Sequence, residues 1–434
     1  MQGKLWRRSS LAAVAALGLA ATSCGSSSHS SASTTVSPSA TTGATTGSSS
    51  GPGESIGITP TTITLGQLAD VSGPVPGLFS GAQEGLAAWA AYVNSTGGID
   101  GRKIVIDFKD AGLSCTTYTN GISSLTGSAF ALVGTFSLVD ACGEKALTAN
   151  PDLLDLQAAI LNPAIFPYPS VYSPAPNPPG DVTTPYQWVK DKYGAAAIAK
   201  SASLWGATEK FDYEEQVAAA ESIGYKFIYN RGFSPFETNF TADILRMKAD
   251  GVEVVDETDD AVQDVADFLQ QAAQQNFHPL AVINGTAYDP TFFKLLPSAS
   301  DASNLVNDLP QAMYLGQDAA TVPEIGLLTS WVQKVHPGAA LNEFAVDAWA
   351  SGLLFQKAMA SLGHNPTRSQ VLAAMKGVTS FDANGLLPPD DPGQKTPGVC
   401  DVIITVTNGT YTRTDPATKG FECNGIEHPY AASS

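Results

Sequence analysis

The sequence predicts an α/β protein made of two units of similar plan, each a parallel sheet covered by helices on both faces. Three observations carry this. Short apolar, strand-like runs alternate with stretches whose apolar residues recur at helical spacing, from residue 62 to residue 285. A proline-rich stretch, "NPAIFPYPSVYSPAPNPPGD" at 162–181, interrupts the alternation once and is too long for a βα loop, so it reads as a crossing between domains. The alternation then resumes on the same plan.

In the first unit, "TITLGQLA" (62–69) is a strand and "SGPVPG" breaks it. From Gly81, "GAQEGLAAWAAYVN" sets Leu86, Trp89, Ala90 and Val93 at helical spacing, and turn residues at 94–98 end it. "KIVIDFKD" (103–110) is a strand with alternating Ile104, Ile106 and Phe108. A helix at 117–126, a buried strand "AFALVGT" (129–135), a helix at 142–150 and a strand "LQAAIL" (156–161) follow. In the second unit, "AAAIAKSAS" (195–203) reads as a strand, 213–222 as a helix and "YKFIYNRGF" (225–233) as a strand. "TNFTADILRMKADG" (238–251) is a helix capped by Thr238 and closed by Gly251. "VEVVDET" (252–258), a helix at 261–274 and "LAVING" (280–285) complete it. Beyond both, 342–363 is a strong amphipathic helix whose stripe of Val346, Trp349, Ala350, Leu353 and Leu354 is core. "VCDVIITVTNGTYTRT" (399–414) is a hairpin turning at Asn408-Gly409.

The N-terminus has another character. Lys4, Arg7 and Arg8 precede an uncharged run at 11–21, the pattern of an export signal, and the run falls short of the ~20 residues a membrane span needs. Ala21-Thr22-Ser23-Cys24 is similar to a bacterial lipobox, with Ala21 where Leu, Val or Ile is usual. The likeness implies cleavage after residue 23 and acyl chains on Cys24, and two or more chains anchor firmly where one does not. Residues 25–55 are nearly all Ser, Thr, Gly and Ala, too poor in apolar side chains to offset the entropy of ordering, and read as a flexible tether.

A formal charge of -18, with 41 acidic against 23 basic residues, disfavours nucleic acid and adhesion to anionic lipid. Four cysteines remain besides Cys24: Cys115, Cys142, Cys400 and Cys423. In an exported chain they suggest two disulfides with three possible connectivities, of which nearest-neighbour pairing closes two moderate loops. No C-x-x-C spacing favours zinc. The five histidines form no H-E-x-x-H, "GLFSG" is not a nucleophile elbow, and no phosphate loop or G-x-G-x-x-G occurs. Asp259-Asp260 and Asp390-Asp391 read as solvated surface. These residues point away from an enzyme and imply no cofactor and no metal.

"GITPTTITLGQLADVSGP", "GAQEGLAAWAAYVNSTGGIDGRKIVIDFKDAG" and "AFALVGT" together resemble the start of type I periplasmic binding proteins, in particular the leucine/isoleucine/valine-binding receptors of ABC transporters. The resemblance implies two Rossmann-like lobes with parallel sheets, joined by three crossover strands, with a ligand in the cleft between them. Lobe one would be 56–172 plus 316–388, and lobe two 173–315 plus 393–423, with a tail at 424–434. The crossings would be the proline-rich segment, the region of "AMYLGQ", and "LLPPDDPGQ". It further implies a monomeric, lipid-anchored extracytoplasmic receptor working with an ABC permease. A sensor of the same fold without transport, and a cell-envelope hydrolase, are the alternatives.

Ligands of open α/β sheets bind beyond the carboxyl ends of strands. Candidate contacts there are Ser72, Phe79, Phe136, Ser137, Ile165 and Phe166 in lobe one. In lobe two they are Trp205, Phe211, Thr258, Asn284 and Tyr288. Simpler roles exist for several: Ser72 as a turn cap, Asn284-Gly285 as a turn, Trp205 and Phe211 as core. Glu257 is either a partner for a ligand ammonium or a solvated strand-end carboxylate. The family's amino-acid receptors hold the α-carboxylate with hydroxyls and N–H groups of two loops, which here read "TFSLVDACGE" and "NPAIFPYPS". Leu138 stands where a serine is common, and the second loop lacks the usual small residue followed by threonine. Both departures point to a more apolar or aromatic ligand, or one without an α-amino-acid head.

Overall fold

Two large sheets organise the computed structural model, which describes residues 55–207, 210–234, 237–258 and 261–429. The predicted signal, Cys24, all but the last residue of the tether, Asp259-Asp260 and the end of the tail lie outside the described residues. The first sheet holds β1 (Thr62–Ala69), β2 (Lys103–Asp110), β3 (Ala131–Thr135), β4 (Asp155–Gln157) and β5 (Val171–Tyr172) in the order β2-β1-β3-β4-β5. Every pairing is parallel. Central β3 is buried along its whole length, which is why "ALVGT" reads as a continuous apolar run.

A short ribbon pairs β6 (Gly180–Val182) with β14 (Glu427–Pro429), antiparallel. The second sheet holds β7 (Ser201–Gly206), β8 (Phe227–Phe233), β9 (Val254–Thr258), β10 (Ala281–Ile283), β11 (Leu305–Leu309), β12 (Val402–Thr407) and β13 (Thr410–Asp415). Its order is β13-β12-β11-β10-β9-β7-β8, parallel from β8 to β11 and antiparallel across β12 and β13. The β12–β13 hairpin turns at Asn408 and Gly409, whose φ values of 52° and 72° suit the twist of two joined strands.

Three helices follow β11 before the chain rejoins the second sheet, and they serve the first. Tyr92 of the Ser80–Ser95 helix packs on Trp331 and Trp349, both ring centroids at 5.8 Å. Two glycines let the Glu343–Met359 helix approach that closely. A Cβ on Gly85 would lie 2.2 Å from Ala345 O, and one on Gly352 would lie 2.3 Å from the Trp89 ring. Asn342 caps the helix by accepting from Ala345 N–H at 3.1 Å. Thr367 opens the Arg368–Met375 helix with a capping box, and Arg368 fastens it by donating to Thr126 O at 2.7 Å. The chain therefore passes between the sheets three times. The second and third passages run side by side, Ala312 N–H donating to Leu386 O at 2.8 Å.

Four local readings are corrected. Asp390, read with Asp391 as solvated surface, is buried, and only Asp391 is partly exposed. Residues 195–203 are not one strand: the alanine-rich Ala195–Ile198 turns as a helix, and pairing starts at Ser201. "LQAAIL" pairs only as far as Gln157, because the chain then leaves the sheet. Thr238 is no cap: its carbonyl accepts from Gln271 Nε2 at 3.0 Å, while Asn239 Oδ1 accepts from Thr241 N–H at 3.0 Å and Gly251 closes the helix at φ 75°. Of the three cysteine connectivities, the nearest-neighbour one is formed: Cys115–Cys142 and Cys400–Cys423.

Candidate functional site

The carboxyl ends of the first sheet are held by aspartates rather than by apolar packing. Buried Asp70, directly after β1, accepts from Leu113 N–H at 2.7 Å and Leu138 N–H at 2.9 Å, tying together the loops after β1, β2 and β3. Asp110 accepts from the N–H groups of Val71 (3.1 Å), Ser72 (3.1 Å) and Gly112 (3.0 Å). Burial works to raise its pKa, but the side-chain and backbone hydrogen bonds from Ser72, Val71 and Gly112 hold it below the ordinary value. Asp140 accepts from Leu161 N–H (3.2 Å) and Asn162 N–H (3.3 Å), and burial pushes its pKa up to about 7.

Two of these loops carry rings, Phe79 and Phe136, both buried in the hydrophobic core. Phe79 and Phe136 lie 4.5 Å apart between centroids, and Phe344, in the first turn of the Glu343–Met359 helix, meets each of them at 5.0 Å. Exposed Ser72 is held through its backbone by Asp110, and buried Ser137 turns its hydroxyl to accept from Val139 N–H at 3.2 Å. Ile165 belongs to a separate apolar cluster with Tyr118, Ile122 and Leu147. Phe166 lies 5.1 Å from Lys395 Nζ, which also donates to its carbonyl at 2.6 Å. Neither joins the ring cluster of Phe79 and Phe136.

The second sheet contributes an acidic counterpart. A cavity of about 170 Å³ lies against β9, β10 and β11, walled by Asp256, Glu257, Asn284, Asp308 and Tyr186. Its last wall is Glu343, from the helix packed on the first sheet, so both lobes line one space. Among the described residues, no Lys, Arg or His lines it. Glu257 is not the solvated carboxylate that a strand end would suggest. It is 2% exposed, and neither carboxylate oxygen has a hydrogen-bond partner. Burial, then the charges of Asp264 and Asp256, push its pKa well above the carboxylate range. Burial also raises half-buried Asp308, to about 6.

Asn284 donates to Glu257 O at 2.8 Å and accepts from Ala287 N–H and Thr286 Oγ1, each at 2.8 Å, so its amide is used in shaping this wall. Thr258 is buried with an unpartnered hydroxyl. Tyr288 is buried beside Tyr314 at 4.9 Å and donates to Gln317 Oε1 at 2.6 Å. Trp205 stacks on Tyr213 at 4.6 Å, over Gly232 of β8, and Phe211 is half-buried on the same Lys210–Ser222 helix as Tyr213. Sequence reasoning missed Asp256, Asp308, Glu343 and Phe344. The available signal was "NEF", a cap followed by an acid and a ring, hidden beside a strong core stripe. A larger depression of about 330 Å³ borders Lys357, Ser361 and Val378, with no strand end in its lining. No helix among the described residues is long and apolar enough to cross a membrane.

No curated protein matches the sequence. Several solved structures share the fold. A fatty acid ABC transporter substrate-binding protein from Thermomonospora curvata superposes with a TM-score of 0.68 at 16% identity, covering 86% of this chain and 95% of its own. A solute-binding protein from R. palustris in complex with 4-hydroxybenzoate gives 0.66 at 15% identity, covering 81% and 95%. LivJ from Streptococcus pneumoniae in complex with isoleucine gives 0.63 at 15% identity, covering 85% and 100%. With two lobes of parallel sheet and a family model described as "Periplasmic binding protein" matching residues 62–404, the chain belongs to the periplasmic binding proteins, a family of solute binders with the type I fold.

Proposed function

We propose that this protein is a lipid-anchored receptor that captures a small apolar or aromatic solute between its lobes and delivers it to an ABC importer. One observation carries the reading: the acidic cavity has walls from the second sheet and from Glu343, a residue of the helix packed on the first. A solute there touches both lobes, and only such contacts favour a closed form over an open one. The lobes comprise 56–172 plus 316–388 and 173–315 plus 393–423, and the three passages between sheets act as the hinge. Half-buried Phe344, packed on buried Phe79 and Phe136, supplies an apolar surface beside Glu343, and Asn284 and exposed Ser72 supply polar groups. The named ligands of similar proteins, a fatty acid and 4-hydroxybenzoate among them, support an apolar or aromatic solute as readily as an amino acid. Acylated Cys24 and the 25–55 tether hold the lobes near the membrane.

Thermal melting against the twenty amino acids, fatty acids and aromatic acids and amines tests this. A solute at about 100 times its Kd stabilises by about 2.7 kcal/mol, readily seen as a raised Tm. A large shift from an apolar or aromatic solute is the expected result, and one from leucine alone contradicts the ligand class. Cys24→Ala moves the protein from the membrane fraction to the medium if the anchor is right.

A further inference from the structure

We infer that the captured solute carries a cationic nitrogen, seated against Glu257 at the ends of β9, β10 and β11. The inference rests on the receptor reading and names its substrate class.

Asp256, Glu257, Asp308 and Glu343 converge on one cavity of about 170 Å³ that no basic side chain among the described residues lines. An acidic cluster alone is ordinary surface chemistry. Glu257 makes this one different, because it is buried with both carboxylate oxygens unpartnered. A buried carboxylate without hydrogen bonds is costly and needs a reason to persist. An ammonium or guanidinium supplies donors for those oxygens and charge for the cluster, whereas a ligand carboxylate would meet several acids of its own sign. Asn284 grips the Glu257 carbonyl at 2.8 Å, which fixes the strand end without engaging the carboxylate.

Glu257 faces Asp256 on its own strand, Asp264 of the Val262–Gln274 helix, Asp308 of β11 and Glu343 across the cavity. Burial and these neighbours favour the protonated form of Glu257 in the empty site. A bound cation favours the carboxylate, so that proton leaves to solvent and affinity grows as pH rises.

Isothermal titration of the purified full chain with phenethylamine, hydrocinnamate and phenylalanine tests this, since the three share a ring and differ in charge. The amine binds at least about tenfold more tightly than either acid, more tightly at pH 8 than at pH 6, and with proton release seen as a buffer-dependent heat. Glu257→Gln lowers amine affinity by about tenfold or more and, with no solute present, raises Tm at pH 8 because an unpaired buried acid has gone. Equal or tighter binding of either acid, an unmoved amine affinity in E257Q, or a lowered Tm of empty E257Q overturns the inference. If the amine is silent while an uncharged or anionic solute of the wider panel binds, the cation is refuted and the receptor reading stands. Silence across that whole panel removes both.

Discussion

Replacing Gly352 by alanine tests how the site is held together. A Cβ there would lie 2.3, 2.5 and 2.7 Å from three atoms of the Trp89 indole. Ordinary carbon contacts are about 3.5–4.0 Å, so the Glu343–Met359 and Ser80–Ser95 helices must part by about 1 Å. Trp89 is fully buried and edge-packed on Phe355 at 6.5 Å, so its ring cannot swing clear. Overpacking of this kind costs about 3 kcal/mol, against which alanine's better helix propensity returns about 1, leaving about 2 kcal/mol of destabilisation. Gly326, in the Pro323–Val335 helix, is the internal control, because a Cβ there meets nothing within 4 Å. Gly326→Ala gains about 0.5–1 kcal/mol. Differential scanning fluorimetry then shows G352A melting about 4–8 °C below the parent and G326A about 1–4 °C above it. Solute affinity falls in G352A only, since Glu343 and Phe344 begin the displaced helix. G352A melting at or above G326A would refute the close helix crossing and the positioning of Glu343 derived from it.

The other expectations are briefer. Arg413 and Asp318 form a buried ion pair, 8% and 6% exposed, that ties β13 to the passage after β11, so Arg413→Ala costs about 3–5 kcal/mol in chemical denaturation and lysine does not restore it fully. Opening either disulfide, whose cysteines are 27 and 23 positions apart in sequence, costs about 3.5 kcal/mol by loop entropy, read as the difference between oxidised and alanine-substituted protein. Burial raises the folded pKa of Asp140 and Asp390 to about 7 and of Asp155 to about 6. Their contribution is complete below the unfolded value near 4 and is lost as pH rises through 6 to 7, so unliganded stability declines from pH 5 to pH 8 and Asp140→Asn flattens the decline.

Much of the fold is legible in the sequence because its strongest signals are local. "ALVGT" is central and apolar, Asn408-Gly409 specifies its turn, and Gly251 supplies the left-handed residue that ends a helix. Residues 195–203 misled because alanine suits a short helical turn as well as a small-residue strand. The site is less legible because it is non-local. Asp70 matters for the amides of Leu113 and Leu138, neither within reach of a local pattern. Asp256 and Asp308 are separated by the whole of β10 yet share a wall, and Glu343 comes to it from the other lobe. Periodicity assigned this helix to the core, which is true of Val346 and Trp349, but gave no sign that Glu343 at its start lines the cavity. A strand-end glutamate is usually solvated, and only the assembled sheets bury Glu257.

An electron-density map of the protein crystallised with its captured solute is the most direct test. The account predicts density bounded by Glu343 on one side and by Glu257 and Asn284 on the other, in contact with both lobes. Density confined to one lobe, or seated in the depression beside Lys357, would contradict it.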